Sequence, residues 1–85
     1  SWAGSRPMAE TRLVNTLRVQ RAKRALTQEQ LAGLVGVTRK TINTVETGRF
    51  VPSTILALKL AAALAVPVEE LFRLEEAESP QTTSA

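Results

Sequence analysis

Cysteine, histidine and tyrosine are all missing from this 85-residue chain. Without cysteine there is no disulfide framework and no thiolate metal site. Without histidine as well, the usual ligands of zinc and haem are gone, and neither a Ser-His nor a Cys-His nucleophile pair can be built. The absence of tyrosine removes one further general acid. Most hydrolytic chemistry is thereby excluded, and neither an enzyme nor a cofactor is expected. Aromatic residues are scarce, at 4% of the chain, so any core must be aliphatic. No apolar run has the flanks of a signal peptide. The run 55–66 is broken by Lys59 and is too short to span a bilayer. A cytoplasmic chain with no membrane partner is the expectation.

What is present fits one small domain with a single core. Eleven basic and eight acidic residues leave a net charge of +3. Residues 1–49 hold nine basic and three acidic groups, a net of +6, whereas residues 50–85 hold two and five, a net of −3. A basic half points to a polyanion partner, and fits a solvated face of mixed charge equally well.

Along the chain, residues 1–10 are expected to be an appended remnant and flexible start, with Met8 as the natural beginning. Residues 77–85 are polar and expected to be disordered. The working domain is 11–76. Within it the punctuation predicts five helices. Asn15 caps one over 16–24. Thr27 and Gln30 have capping-box spacing and start a second over 28–35, which Gly36 ends as a left-handed cap. Thr38 caps a third over 39–47, stopped by Gly48. Ser53 caps a fourth, running to residue 65, and Pro67 occupies the first turn of a fifth over 68–72.

Two helices separated by three residues around a glycine are the pattern of a helix-turn-helix. The apolar spacing agrees. Leu31 and Val35 share one face of the second helix, Ile42 and Val45 one face of the third, and Val37 lies in the turn between them. Ala32 falls where the two helices cross most closely.

The stretch 26–49, Leu-Thr-Gln-Glu-Gln-Leu-Ala-Gly-Leu-Val-Gly-Val-Thr-Arg-Lys-Thr-Ile-Asn-Thr-Val-Glu-Thr-Gly-Arg, resembles the Cro/phage-repressor type of helix-turn-helix regulator, the group that includes the XRE-type bacterial regulators. The likeness continues through Pro52-Ser53, 56–59, Val66 and 69–72, about sixty residues in all. It implies an all-α, lambda-repressor-like bundle of five compact helices, with the recognition helix at 38–47. Some departures stand out: Ala25 and Ala65 occupy places where relatives often carry a helix-ending glycine, Pro67 replaces a Ser or Thr cap, and Gln20 sits where an apolar residue is common.

In the third helix, inward-facing Ile42 and Val45 turn Arg39, Lys40, Asn43 and Thr44 outward, toward a DNA major groove. Arg39 or Lys40 suits guanine O6 and N7, Asn43 can pair bidentately with adenine, and Thr44 offers a hydroxyl and a methyl to thymine. The resemblance implies base reading from Arg39, Lys40 and Thr44, with an operator that differs from those of relatives carrying Gln in place of Lys40. The start of the second helix, at Thr27 and Gln28, presents free N–H groups to phosphate, and the resemblance implies a phosphate contact at Gln28. Thr38, Thr41, Thr47, Arg49 and Lys23 are further phosphate candidates, Thr38 being equally well explained as a plain cap. The resemblance also implies that Arg21 pairs with Glu46, which makes Glu46 structural rather than base-reading.

The fourth helix is apolar almost all round. Leu56, Leu60 and Leu64, with Ala57 and Ala61, form a stripe for the core. Ile55, Leu58 and Ala62 recur on another side and, with Pro67, Val68 and Phe72, are expected to form a homodimer interface. Two recognition helices about 34 Å apart would then read a palindrome. The ends of the domain, Leu13-Val14 and Phe72-Arg73-Leu74, are candidates for a small two-stranded sheet. The function expected is sequence-specific binding of double-stranded DNA by a small transcriptional regulator, a repressor. The alternatives are an antitoxin or other protein-interaction module using the same fold with a protein partner, and a controller of restriction–modification genes.

Overall fold

The computed structural model describes residues 11–76; the expected appended start and polar tail lie outside the described residues. The order of elements is β1 (Thr11–Asn15), α1 (Leu17–Lys23), α2 (Gln28–Val35), α3 (Arg39–Glu46), α4 (Thr54–Leu64), α5 (Val68–Leu71) and β2 (Phe72–Glu76). The molecule is therefore mostly helical rather than wholly so. β1 and β2 pair antiparallel, with Leu13 opposite Leu74 and Asn15 opposite Phe72. The fifth helix stops at Leu71, one residue short of expectation, because Phe72 is already extended and opens the strand. A two-stranded ribbon is marginal alone. Here it is fastened to the helices: Thr16 donates its backbone N–H to the carbonyl of Leu71 at 2.9 Å and its hydroxyl to that of Glu70 at 2.8 Å.

The helix starts follow from their side chains. Thr27 Oγ1 accepts from the N–H of Gln30, while Gln30 Oε1 accepts from the N–H of Thr27, a complete capping box. Thr38 and Ser53 cap α3 and α4 by accepting from Thr41 and Leu56. At the first helix Asn15 Oδ1 accepts from the N–H of Leu17, and its Nδ2 donates to the carbonyl of Val45 at 3.0 Å. One residue thus fixes the start of α1 to the end of α3. Pro67 sits at the N-cap of α5, immediately before its first turn.

Left-handed residues follow α1, α2, α3 and α4. Gly36 and Gly48 take φ of 80°, and Ala25 and Ala65 take 56° and 57°. Each terminates its helix in the same way. After α3, for instance, Arg49 donates back to the carbonyl of Thr44 and Gly48 to that of Val45, which satisfies two orphan carbonyls. The two alanines hold a conformation that their Cβ disfavours.

The core is aliphatic. Leu17, Leu31, Ala32, Val35, Ile42 and Val45 from the first three helices meet Leu56, Leu60, Ala61 and Leu64 of α4 and Leu71 of α5. Of the stripe expected on α4, Ala57 is half-buried and the rest are buried. Ala32 of α2 is buried in this core, and α2 packs against α3. With Ile42 and Val45 held inward, the other faces of α3 are fixed.

Candidate nucleic-acid interface

The register of α3 leaves Arg39, Lys40 and Asn43 exposed and Thr44 half-buried. Arg39 and Lys40 occupy the first turn. Among the described residues neither forms an ion pair, so both charges are available to a ligand. Thr44 donates its hydroxyl to the carbonyl of Thr41 at 2.9 Å, so toward a ligand the oxygen is left as an acceptor. Thr41 shares a hydrogen bond with the Thr38 hydroxyl at 3.1 Å, and Thr47 donates to the carbonyl of Asn43 at 3.0 Å. These three threonines therefore secure the helix as well as being placed near its ends. Lys23 and Arg49 are exposed at the ends of α1 and just beyond α3.

Beneath α3 lies a charged cluster. Glu46 is 1% exposed at its side chain. Arg21 donates to it from Nε at 2.6 Å and from Nη2 at 3.2 Å, and its Nη1 donates to the carbonyl of Leu26 at 2.9 Å. Arg18, whose side chain is 70% exposed, approaches from the other side at 3.6 Å. Gln28 Nε2 donates to Glu46 Oε1 at 3.0 Å and to Asn43 Oδ1 at 3.2 Å. Burial alone would push the Glu46 carboxyl up. The hydrogen bonds from Arg21 and Gln28, with the charges of Arg21 and Arg18, outweigh it and hold the group below its ordinary value of 4.5. The cluster ties α1, α2 and α3 together at one point.

Three members of this cluster had no clear signal in the sequence: Arg18, Asn15 as a strut to α3, and the bond from Gln28 to Asn43. Gln28 bonds two side chains of α3. Both protons of its amide nitrogen are committed inward, so an anion at the start of α2 would be met by backbone N–H groups, which have no intrahelical acceptor in the first turn. Thr27 accepts from Gln30 and keeps its own hydroxyl proton.

The residues expected at a subunit interface divide. Ile55 and Leu58 are 67% and 53% exposed, and Ala62 and Pro67 are exposed too. Val68 and Phe72 are half-buried and pack against the chain's own core. Phe72 borders a small hollow with Leu13, Asn15, Val45 and Pro52. No helix among the described residues is long and apolar enough to cross a membrane, and none of their acidic side chains group as a metal site.

A helix-turn-helix with an exposed basic leading turn can grip a nucleic acid, and the comparisons agree. The model of a helix-turn-helix domain matches residues 12–74. An HTH-type transcriptional regulator of Bacillus subtilis (strain 168), YgzD, is 44% identical over 62 residues, 73% of this chain and 94% of that protein. Another from Methanothermobacter thermautotrophicus is 49% identical over 61 residues, 71% of this chain and 88% of that one. Relatives thus occur in an archaeon as well as a bacterium. The crystal structure of the restriction-modification controller protein C.AhdI from Aeromonas hydrophila superposes with a TM-score of 0.61 at 41% identity, covering 64% of this chain and 82% of that one. Fold, basic leading turn and relatives converge: the chain belongs to the helix-turn-helix transcriptional regulators, a family of DNA-binding proteins.

Proposed function

We propose that this chain is a repressor that inserts α3 into the major groove of a palindromic operator and does so as a homodimer. The observation that carries the reading is the first turn of α3. Arg39 and Lys40 stand exposed and unpaired there, on a helix whose register is locked by buried Ile42 and Val45. The N-terminal residues of such a helix meet base edges first, and Arg or Lys matches guanine O6 and N7. Thr44 follows one turn later. The backbone at the start of α2, with Thr27, Thr38, Thr41, Thr47, Arg49 and Lys23, meets phosphates and fixes the register without reading sequence. Occupying an operator excludes other proteins from it, which is repression in its simplest form. Ile55, Leu58 and Ala62 supply the exposed apolar face through which two copies join. A role as a controller of restriction–modification genes, which the Aeromonas neighbour is, would differ from this reading only in the target.

Selection of bound duplexes from a random pool tests this. A palindromic consensus with half-site centres about 34 Å apart is the expected result. Recovery of no consensus, with binding lost at moderate salt, would show polyanion affinity alone and would favour a protein partner for the apolar face of α4.

A further inference from the structure

Asn43 is on the reading helix, yet its amide is not free to turn. Gln28 Nε2 lies 3.0 Å from Glu46 Oε1 and 3.2 Å from Asn43 Oδ1. A carboxylate accepts hydrogen bonds and cannot donate. The Gln28 amide must therefore present its nitrogen to Glu46, and the same nitrogen then faces Asn43. Two donors cannot face each other, so Asn43 must present its oxygen to Gln28. Among the described residues nothing else binds the Asn43 amide, which leaves both protons of Nδ2 on the exposed side. The fixed polarity of one buried carboxylate thus passes through Gln28 to the surface. The Arg21 guanidinium secures the carboxylate from the opposite side.

We infer that Glu46 and Gln28 are positioning residues that hold the Asn43 amide so that Nδ2, with both its protons free, is its stronger partner for the base opposite. This deepens the proposed operator reading and rests on it. Bidentate pairing with adenine needs the amide oxygen and nitrogen side by side toward the base. Here one lone pair of the oxygen is already taken by Gln28, which weakens it as an acceptor for adenine N6, while Nδ2 keeps both protons for a base. Guanine sets O6 and N7, two acceptors, next to each other. Asn43 therefore favours guanine over adenine, in contrast to the pairing expected from residue type alone.

The test is competition binding with four versions of the selected duplex, differing at the one base pair where Asn43→Ala flattens the preference. The native chain is expected to prefer guanine to adenine there on the order of tenfold, the scale of one good side-chain-to-base contact. Gln28→Ala releases the amide and should bring that ratio close to one, with the preferences opposite Arg39 and Lys40 kept. Asn43→Asp still accepts from Gln28 but turns an acceptor outward. It should shift the preference to cytosine, whose N4 is a donor, and it carries the test should Gln28→Ala fail to fold by its circular dichroism melt. Adenine preferred by the native chain, a ratio unmoved by Gln28→Ala, or an Asn43→Ala variant that changes no position would each overturn the inference while leaving operator reading intact. Failure of the native chain to select any duplex would overturn both.

Discussion

At the scale of single residues, Glu46 carries the most. Its carboxylate is shielded from solvent and met by three polar side chains, Arg18 and Arg21 of α1 and Gln28 of α2. Removing it strands Arg21, which is largely buried, and loss of one partner of such a pair costs roughly 3 kcal/mol. Arg39 is exposed and unpaired, and truncating it should change stability by about 0.5 kcal/mol or less. Thermal melts should therefore show Glu46→Ala lowering Tm by on the order of 10 °C or more and Arg39→Ala leaving it nearly unchanged. Equal melting temperatures would contradict a structural role for Glu46. The same carboxyl makes stability depend on pH. Its folded pKa lies below 4.5, so its contribution is complete above that value and is lost as pH falls through the folded value. A Tm series from pH 6 to pH 3 should decline more steeply for the native chain than for Glu46→Gln. Superimposable declines would contradict the assignment. The pair of Arg12 with Glu75, 2.9 Å long, joins two exposed side chains and adds little.

At the scale of elements, helix ends decide stability through the backbone. Gly33 and Gly36 lie three residues apart, and an added Cβ would meet no atom within 4 Å at either. Their conformations differ. Gly33 is inside α2, where alanine is favoured over glycine by about 0.5–1 kcal/mol. Gly36 holds φ of 80°, where a Cβ costs about 1 kcal/mol or more. Gly33→Ala should raise Tm and Gly36→Ala lower it, and shifts of the same sign would contradict this. By the same reasoning Ala65→Gly, at φ 57°, should stabilise by a few tenths to about 1 kcal/mol, the left-handed penalty outweighing the added chain entropy. These elements also show what a sequence discloses. Thr27, Gln30, Gly36, Thr38 and Ser53 act on neighbours four or fewer residues away, and their roles are legible as spacing. The bond from Gln28 to Asn43 joins residues 15 apart and exists only because α2 and α3 pack across each other. No periodicity reports such a crossing. Phe72 looked like the end of a helix because its apolar spacing continues α5. The strand opposite, 57 or more residues away in sequence, is what extends it.

At the scale of the whole molecule, the exposed basic residues of the reading helix and the exposed apolar face stand on different helices. The exposed base-reading candidates Arg39 and Lys40 stand on α3, and Ile55, Leu58 and Ala62 on the outer side of α4. Self-association through α4 predicts that Leu58→Glu gives a monomer by light scattering with an unchanged melt, since Leu58 is 53% exposed and supports little of the core. A monomeric native chain at tens of micromolar would contradict it. Sequence reading by α3 is checked by comparing the double variant Arg39→Ala, Lys40→Ala with the native chain for binding to the selected duplex and to a scrambled one at the same salt. The double variant should fold normally yet lose most of its preference for the selected duplex, about 1–3 kcal/mol for each base contact removed. An undiminished preference would contradict recognition by this helix.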